Sequence, residues 1–242
     1  MGEIVLLGLI AGLGTCLGAL LVVAFGRLGP ATISLMLGFA SGIMTAVIIF
    51  DLLPSSLHYG TLAATLTGFA GGIMLMAFLD LGLNILAPSF FRGRGYLKMG
   101  YLIAAGIALH DLPEGFAIAA GFAAAEKLGP ILVLAIGLHN IPEGMATAAP
   151  LRYGGMGAGR VLALNAIISL VTPLGTLVGL KLVEASYTFI GLLLAFAAGA
   201  MTYIVLGELA PESRRSNKPL AHIGMLAGLI LIITLNFIQI SD

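Results

Sequence analysis

Long apolar runs separated by short polar connections dominate the chain. Runs long enough to cross a bilayer as helices lie at residues 4–26, 31–51, 62–87, 99–124, 129–150, 160–181, 187–208 and 219–240. Most of the charged residues fall between these runs. The pattern predicts an all-α polytopic membrane protein with eight transmembrane helices, forming a single transmembrane domain over residues 1–242.

The composition supports a lipid environment. Hydrophobic residues make up 60% of the chain and charged residues 9%, with a mean hydropathy of +1.11, and no soluble globular domain of this length has so little charge. There is no basic tail for nucleic acid to bind. The single Cys16 excludes a disulfide framework and a cysteine-cluster metal site, so we expect it to pack within a helix.

The basic residues predict the orientation in the membrane. Nine of the 11 Lys and Arg residues fall in alternate connections, and the opposite connections hold only Lys127 and Lys181. Because the cytoplasmic side carries the excess of basic residues, both termini should lie outside the cytoplasm. The N-terminus also lacks the basic start of a signal peptide, so the first run should remain as a span of a cell-membrane protein.

One short motif occurs twice inside neighbouring apolar runs. The segment that begins His-Asp-Leu-Pro-Glu-Gly at His110 returns 29 residues later as His-Asn-Ile-Pro-Glu-Gly at His139, and thirteen-residue windows containing the two copies agree at eight positions. On a helix, residues four apart share a face, so His110 stacks over Glu114 and His139 over Glu143. The proline three residues after each histidine should break the helix and free backbone carbonyls. The motif therefore predicts a metal site at a break in two adjacent helices.

Buried acids strengthen the metal interpretation. Asp80, Asp111, Glu114 and Glu143 lie inside spans, and each ionised acid near the bilayer centre costs roughly 2.5 to 3.5 kcal/mol. No Lys or Arg lies in the middle of any run, so a cation or protons must compensate. Imidazole nitrogen with carboxylate oxygen suits Zn²⁺ and its first-row neighbours better than Ca²⁺ or Mg²⁺. The plainer alternative is polar pairing between helices, but the duplication argues against it.

Four other residues each have two interpretations. Asp111 and Asn140, one position after each histidine, either extend the site to a second ion or form hydrogen bonds between helices. Met44 and Met201 are more often core packing than soft metal ligands, and Met44 is the better ligand candidate.

Three acids lie near predicted span ends, at Asp51, Glu208 and Glu212. Solvated charges are the favoured interpretation, and an entrance or exit for cations is the functional one. Asp80 lies deep in the third span and has no partner evident from the sequence.

A second repeat appears at an offset of 157 residues. Residues 40–56 match residues 197–213 with seven of seventeen positions identical, including a Met-Thr pair and a Pro-x-Ser pattern. Because this offset joins spans of opposite direction, we expect inverted repeats of spans 1–3 and 6–8 around the central pair of spans 4 and 5. Such repeats with interrupted central helices are typical of secondary transporters.

At these residues the chain resembles the prokaryotic type of the ZIP family of zinc and iron transporters. The family pattern has eight spans, both termini outside, a His-Asn-x-Pro-Glu/Asp motif in the fourth span and a His-x-x-x-Glu motif in the fifth. The resemblance implies that His110, Glu114, His139 and Glu143 form the main transport site. Met44 would approach the metal, and Asp111 and Asn140 would help to form a second site. The chain departs from the pattern at Thr172, where members with two metals often have Glu.

The expected function is uptake of a divalent transition metal into the cytoplasm. Zn²⁺ is the leading candidate for the cargo, and the same ligands would also bind Fe²⁺, Mn²⁺, Co²⁺ or Cd²⁺. The resemblance further implies alternating access and a homodimer, and no enzymatic activity. The alternative is an intramembrane zinc hydrolase with His110 and His139 as ligands and a carboxylate as general base. Against it, the chain has no His-Glu-x-x-His helix and its two motifs are near-equal copies. A purely structural membrane scaffold would leave the buried acids uncompensated.

Overall fold

The structure is a computed structural model that describes the backbone of residues 1–242 except 27–28, 91–94, 126, 187 and 241–242. It does not describe some side chains within the helices, namely those of residues 83–84, 86–90, 95, 98–99, 102, 110, 188, 208 and 238–240.

The described residues form helices and short connections, with no strand among them, and contain eight helices long and apolar enough to cross a membrane, as predicted. Span 1 is α1 (Gly2–Phe25); span 2 joins α2 (Pro30–Ala46), the π-helix π1 (Val47–Leu52) and α3 (Leu53–Tyr59); span 3 is α4 (Leu62–Phe90); span 4 is α5 (Gly95–Ala124); span 5 is α6 (Leu128–Tyr153); span 6 joins α7 (Ala158–Ser169) and α8 (Val171–Ala185); span 7 joins α9 (Thr188–Ile204), π2 (Val205–Leu209) and α10 (Ala210–Ser216); span 8 is α11 (Lys218–Ile240).

The predicted break in the two motif helices is wrong. Both α5 and α6 continue without interruption through Pro113 and Pro142. Membrane helices tolerate an internal proline when neighbouring groups satisfy the freed carbonyl. The motif residues therefore stand on continuous helices, which fixes their spacing along one face.

The irregular backbone lies instead in spans 2 and 7. Each contains a π-helical segment, followed closely by Pro54 in one span and Pro211 in the other. In a π turn each backbone N–H bonds to the carbonyl five residues earlier instead of four. This shift accommodates the proline, which has no N–H, and the helix continues beyond it. Both spans consequently extend beyond their predicted ends at 51 and 208, reaching Tyr59 and Ser216.

The two π-helical spans resemble each other in detail. Just before π1, the Thr45 hydroxyl donates to the carbonyl of Ser41 at 2.7 Å, and just before π2 the Thr202 hydroxyl donates to the carbonyl of Ala198 at 2.7 Å. Both donors and both acceptors are related by the offset of 157 found in the sequence. This likeness agrees with the repeat for spans 2 and 7, while the inverted relation of the complete halves stays a prediction.

Spans 2, 4, 5 and 7 form the centre of the bundle. In their most apolar stretches 61–67% of residues are buried, against 22–39% for spans 1, 3, 6 and 8. Span 4 packs on span 7, and span 2 packs on span 5. The second and seventh spans thus flank the two motif helices, and the outer four spans present most of the lipid-facing surface.

Glycines bring particular helices into backbone contact. A Cβ added at Gly18 would collide with the backbone of span 5, one at Gly42 with that of span 8, and one at Gly72 with that of span 7. Close approach of this kind is how membrane helices gain van der Waals contact. Among the described glycines, every contact with another span stays within spans 1, 4, 5 and 6, here called unit A, or within spans 2, 3, 7 and 8, here called unit B.

Candidate metal centre

A compact group of three buried side chains lies between spans 4 and 5. Glu114 on α5 and His139 and Glu143 on α6 each offer one ligand atom, and these atoms all lie within 4.8 Å of one another. None of the three side chains is exposed. His139 and Glu143 share one face of α6 because they are four residues apart. The structure therefore brings together three of the four residues that the duplicated motif singled out.

The fourth residue, His110, lies on α5 one turn before Glu114. Its side chain is outside the described residues. Its part in the centre stays a prediction.

The group is strongly acidic for a buried place. Every Lys and Arg whose side chain the structure describes is exposed, so none of these neutralises Glu114 or Glu143. Glu114 Oε2 has no hydrogen-bond partner among the described residues. A buried charge left without compensation costs several kcal/mol, on the order of 3 to 5. A bound cation or added protons would balance the two carboxylates.

A hydrogen bond within the group brings two candidate donor atoms together. His139 Nε2 and Glu114 Oε1 are 2.8 Å apart, so a single proton lies between a ring nitrogen and a carboxylate oxygen. A metal ion that replaces this proton meets two donor atoms already directed towards it. One imidazole and two carboxylates are a donor set that suits Zn²⁺ and neighbouring transition metals.

Asp111 and Asn140 are fully buried but lie outside the group of three. The Asn140 side-chain amide donates to the carbonyl of Ala11 in span 1 at 3.1 Å, which agrees with the helix-linking interpretation of this residue. Asn140 Oδ1 and the hydroxyl of Thr172 have no hydrogen-bond partner among the described residues. An ordered water or a second cation would satisfy these oxygens.

The two methionines related by the repeat are both fully buried. Met44 in span 2 and Met201 in span 7 belong to the main hydrophobic core. Their packing role agrees with the favoured interpretation. Metal ligation by Met44 stays a prediction.

Two acids outside the central group, Asp80 and Glu212, have partners that the sequence did not reveal. The Tyr203 hydroxyl donates to Asp80 Oδ2 at 2.8 Å, linking spans 3 and 7. Glu212 forms an exposed ion pair with Arg215 at 3.4 Å, as expected for a solvated charge at a span end. The side chain of Glu208 lies outside the described residues.

The structure corrects the interpretation of Asp51 as a solvated charge at a span end. Asp51 is only 6% exposed, rather than solvated, because span 2 continues past it to Tyr59. The Asn236 side-chain amide donates to Asp51 Oδ1 at 3.0 Å. The amide of Asn236 in the largely apolar last span was the sequence signal that could have pointed to this pair.

The fold and the buried group define a multispan membrane protein with a histidine and carboxylate site for a cation. A family model described as ZIP zinc transporter matches residues 92–236. The chain is 33% identical over 255 residues to zinc transporter ZupT of Chlorobium luteolum, covering 94% of each protein, and 33% identical over 251 residues to zinc transporter GufA of Myxococcus xanthus, covering 98% of each. It is also 33% identical to zinc transporter ZIPB of Bordetella bronchiseptica, over 98% of this chain and 81% of that protein. The chain belongs to the ZIP family of zinc transporters.

Proposed function

We propose that this protein carries Zn²⁺ across the cell membrane through a site formed by Glu114, His139 and Glu143. The observation that carries the proposal is the fully buried group of two carboxylates and one imidazole, whereas every described Lys and Arg side chain is exposed. The names of the relatives support zinc as the cargo. The same ligand types also suit Fe²⁺, Mn²⁺, Co²⁺ and Cd²⁺, so competition among these ions sets the range of substrates.

We infer that metal moves inward, and the orientation of the chain is a separate part of the proposal. The asymmetry of nine basic residues against two supports a topology with both termini outside the cytoplasm. A Cys16→Ser variant with one cysteine added after Asp242 tests this. Labelling of intact cells by a membrane-impermeant thiol reagent is the expected result, and labelling only after lysis would reverse the topology.

Movement of unit A against unit B supplies a mechanism of alternating access. All three residues of the group stand on unit A, and spans 2 and 7 of unit B cover them. Contacts across the boundary include ordinary side-chain packing, such as the rings of Phe116 and Phe196 with centroids 6.1 Å apart. Interfaces made of side chains repack more readily than backbones held in contact through glycine, so the boundary between the units is the expected plane of motion.

The homodimer implied by the family resemblance is part of the proposal. Mass measurement of the protein in lipid nanodiscs tests it. A mass corresponding to two chains is expected, and a single chain that still transports metal would remove the dimer from the account.

The hydrolase alternative gains no support from the structure or the relatives. The proposed function is tested with purified protein in vesicles of pure lipid that enclose a zinc-sensitive dye. We expect saturable Zn²⁺ influx for the unmodified protein, none for Glu143→Ala, and normal influx for the matched control Glu184→Ala, which removes an exposed acid. Stoichiometric zinc binding without influx in the unmodified protein would contradict transport.

A further inference from the structure

A second polar site lies away from the central group, at one end of the bundle. A cavity of about 450 Å³ opens between the end of span 2, the connection of spans 4 and 5, and the end of span 8. Most of its lining is aromatic or aliphatic, and its polar members are Asp51, Lys127 and Asn236. All three elements reach the same side of the membrane, which the proposed topology makes the outside.

Asp51 has an unused ligand atom in this cavity. Its Oδ1 accepts the hydrogen bond from Asn236, whereas Oδ2 has no hydrogen-bond partner among the described residues. The residue is 6% exposed, so water does not fully solvate the charge. A carboxylate held in this way lowers its energy by binding a cation.

Lys127 brings a positive charge to the same cavity from the other unit. Asp51 and Asn236 belong to unit B, while Lys127 lies at the start of span 5 in unit A. The Lys127 side chain is exposed, and Asp51 Oδ2 accepts no hydrogen bond from it. Lys127 therefore lines the same cavity as Asp51 without donating a hydrogen bond to its Oδ2.

We propose that Asp51 and Asn236 form a low-affinity external site for the divalent cation on its way to the central group, and that Lys127 weakens this site by repulsion. The proposal rests on the proposed function, which supplies the cargo and the external side. Carboxylate and amide oxygens would bind a cation that keeps part of its water shell. A site on a transport path must bind strongly enough to admit the ion and weakly enough to release it, and a neighbouring positive charge favours release.

Zinc binding without transport tests the site directly. The double variant Glu114→Ala, Glu143→Ala removes the central group, and equilibrium dialysis with Zn²⁺ should then show one remaining weak site. Adding Asp51→Asn should abolish that binding, and adding Lys127→Gln should tighten it several-fold. Weak binding that Asp51→Asn leaves unchanged, or the absence of any remaining binding, would overturn the proposal whether or not the protein transports zinc.

Measurements of Zn²⁺ flux provide a second, independent test of the external site, with the central group left unchanged. Asp51→Asn should raise the KM for Zn²⁺ several-fold and lower kcat much less, and Asn236→Asp, which adds a second carboxylate, should lower KM. The control Glu3→Gln removes an exposed acid on the same proposed side and should change KM little. The effect of Asp51→Asn should persist in 0.5 M KCl, because the carboxylate is buried and poorly screened. Equal KM values for all four proteins would contradict the proposal.

Discussion

The interfaces inside the two units differ from the interface between them. Within unit A and within unit B, described glycines place one helix against the backbone of another. Across the boundary, spans 4 and 7 meet through side chains such as Phe116 and Phe196. Backbone contact leaves no room for repacking, whereas side chains can exchange rotamers. The difference supports the proposed movement at the boundary between two rigid units, and the central group stands on unit A.

The largest expected effect comes from breaking a glycine contact. A Cβ at Gly144 would collide with the backbone of Thr15, so Gly144→Val forces spans 1 and 5 apart. Overpacking against side chains costs about 1 to 3 kcal/mol, and against backbone the cost should exceed that range. We expect loss of folded protein, measured by size-exclusion chromatography of detergent extracts.

The matched control for this experiment is Gly82→Ala. Gly82 lies inside α4 and a Cβ there meets nothing within 4 Å. Alanine is the better helix former by about 1 kcal/mol, so the variant should be as stable as the unmodified protein or more so. Equal yields of the two variants would show that glycine contacts do not hold unit A together.

Cross-linking separates the two kinds of interface by their effect on transport. In a Cys16→Ser background, cysteines at Phe116 and Phe196 joined by a short bifunctional thiol reagent would tie unit A to unit B. With a bis-methanethiosulfonate, which forms a disulfide with each cysteine, we expect Zn²⁺ influx to fall to the background level and to return when a thiol reductant breaks those disulfides. Full influx in the completely cross-linked protein would contradict movement at this boundary.

A cross-link inside unit A provides the control. Cys16 Sγ lies 3.2 Å from Ser169 Oγ, which joins spans 1 and 6, so Ser169→Cys should form a disulfide with the native Cys16 on oxidation. Because both residues move together, influx should be retained.

A smaller, selective effect is expected at Met44, which unit B contributes to the core beside the motif helices. Met44→Leu nearly conserves volume and should cost less than about 1.5 kcal/mol. If the thioether touches the metal during transport, the variant should lose influx of the soft ion Cd²⁺ several-fold more than influx of Zn²⁺. Met201→Leu is the control, and the same selectivity change in both variants would assign Met44 to packing alone.

The smallest effect is expected inside unit B. Tyr203→Phe removes the hydrogen bond to Asp80 and should destabilise the protein by about 1 kcal/mol. Because the bond does not cross the boundary, Zn²⁺ influx should stay near normal. A thermal unfolding curve followed by circular dichroism gives the first quantity, and loss of influx in a stable variant would move Asp80 into the transport path.

Local patterns in the sequence predicted much of this structure. Hydropathy gave the eight spans, and the four-residue spacing of His139 and Glu143 on one helix placed both donors on one face. Hydropathy does not report which carbonyl a given N–H meets, so the prolines were expected to break α5 and α6, and the π-helical turns in spans 2 and 7 were not foreseen.

Partners far apart in sequence were also missed. The bond of Asn140 to Ala11 joins residues 129 apart, and that of Asp51 to Asn236 joins residues 185 apart. Such pairs depend on how helices pack in three dimensions. The burial of Asp51 followed from the same packing and could not be read from its position near a predicted span end.

X-ray absorption at the zinc edge tests most directly whether Glu114, His139 and Glu143 hold the metal. The zinc-loaded protein should show a first shell of nitrogen and oxygen at about 2.0 to 2.2 Å together with imidazole outer-shell scattering. In His139→Ala the imidazole contribution should fall, and in Glu143→Ala the zinc content should drop. A first shell that is the same in both variants as in the unmodified protein would place the metal elsewhere and contradict the account.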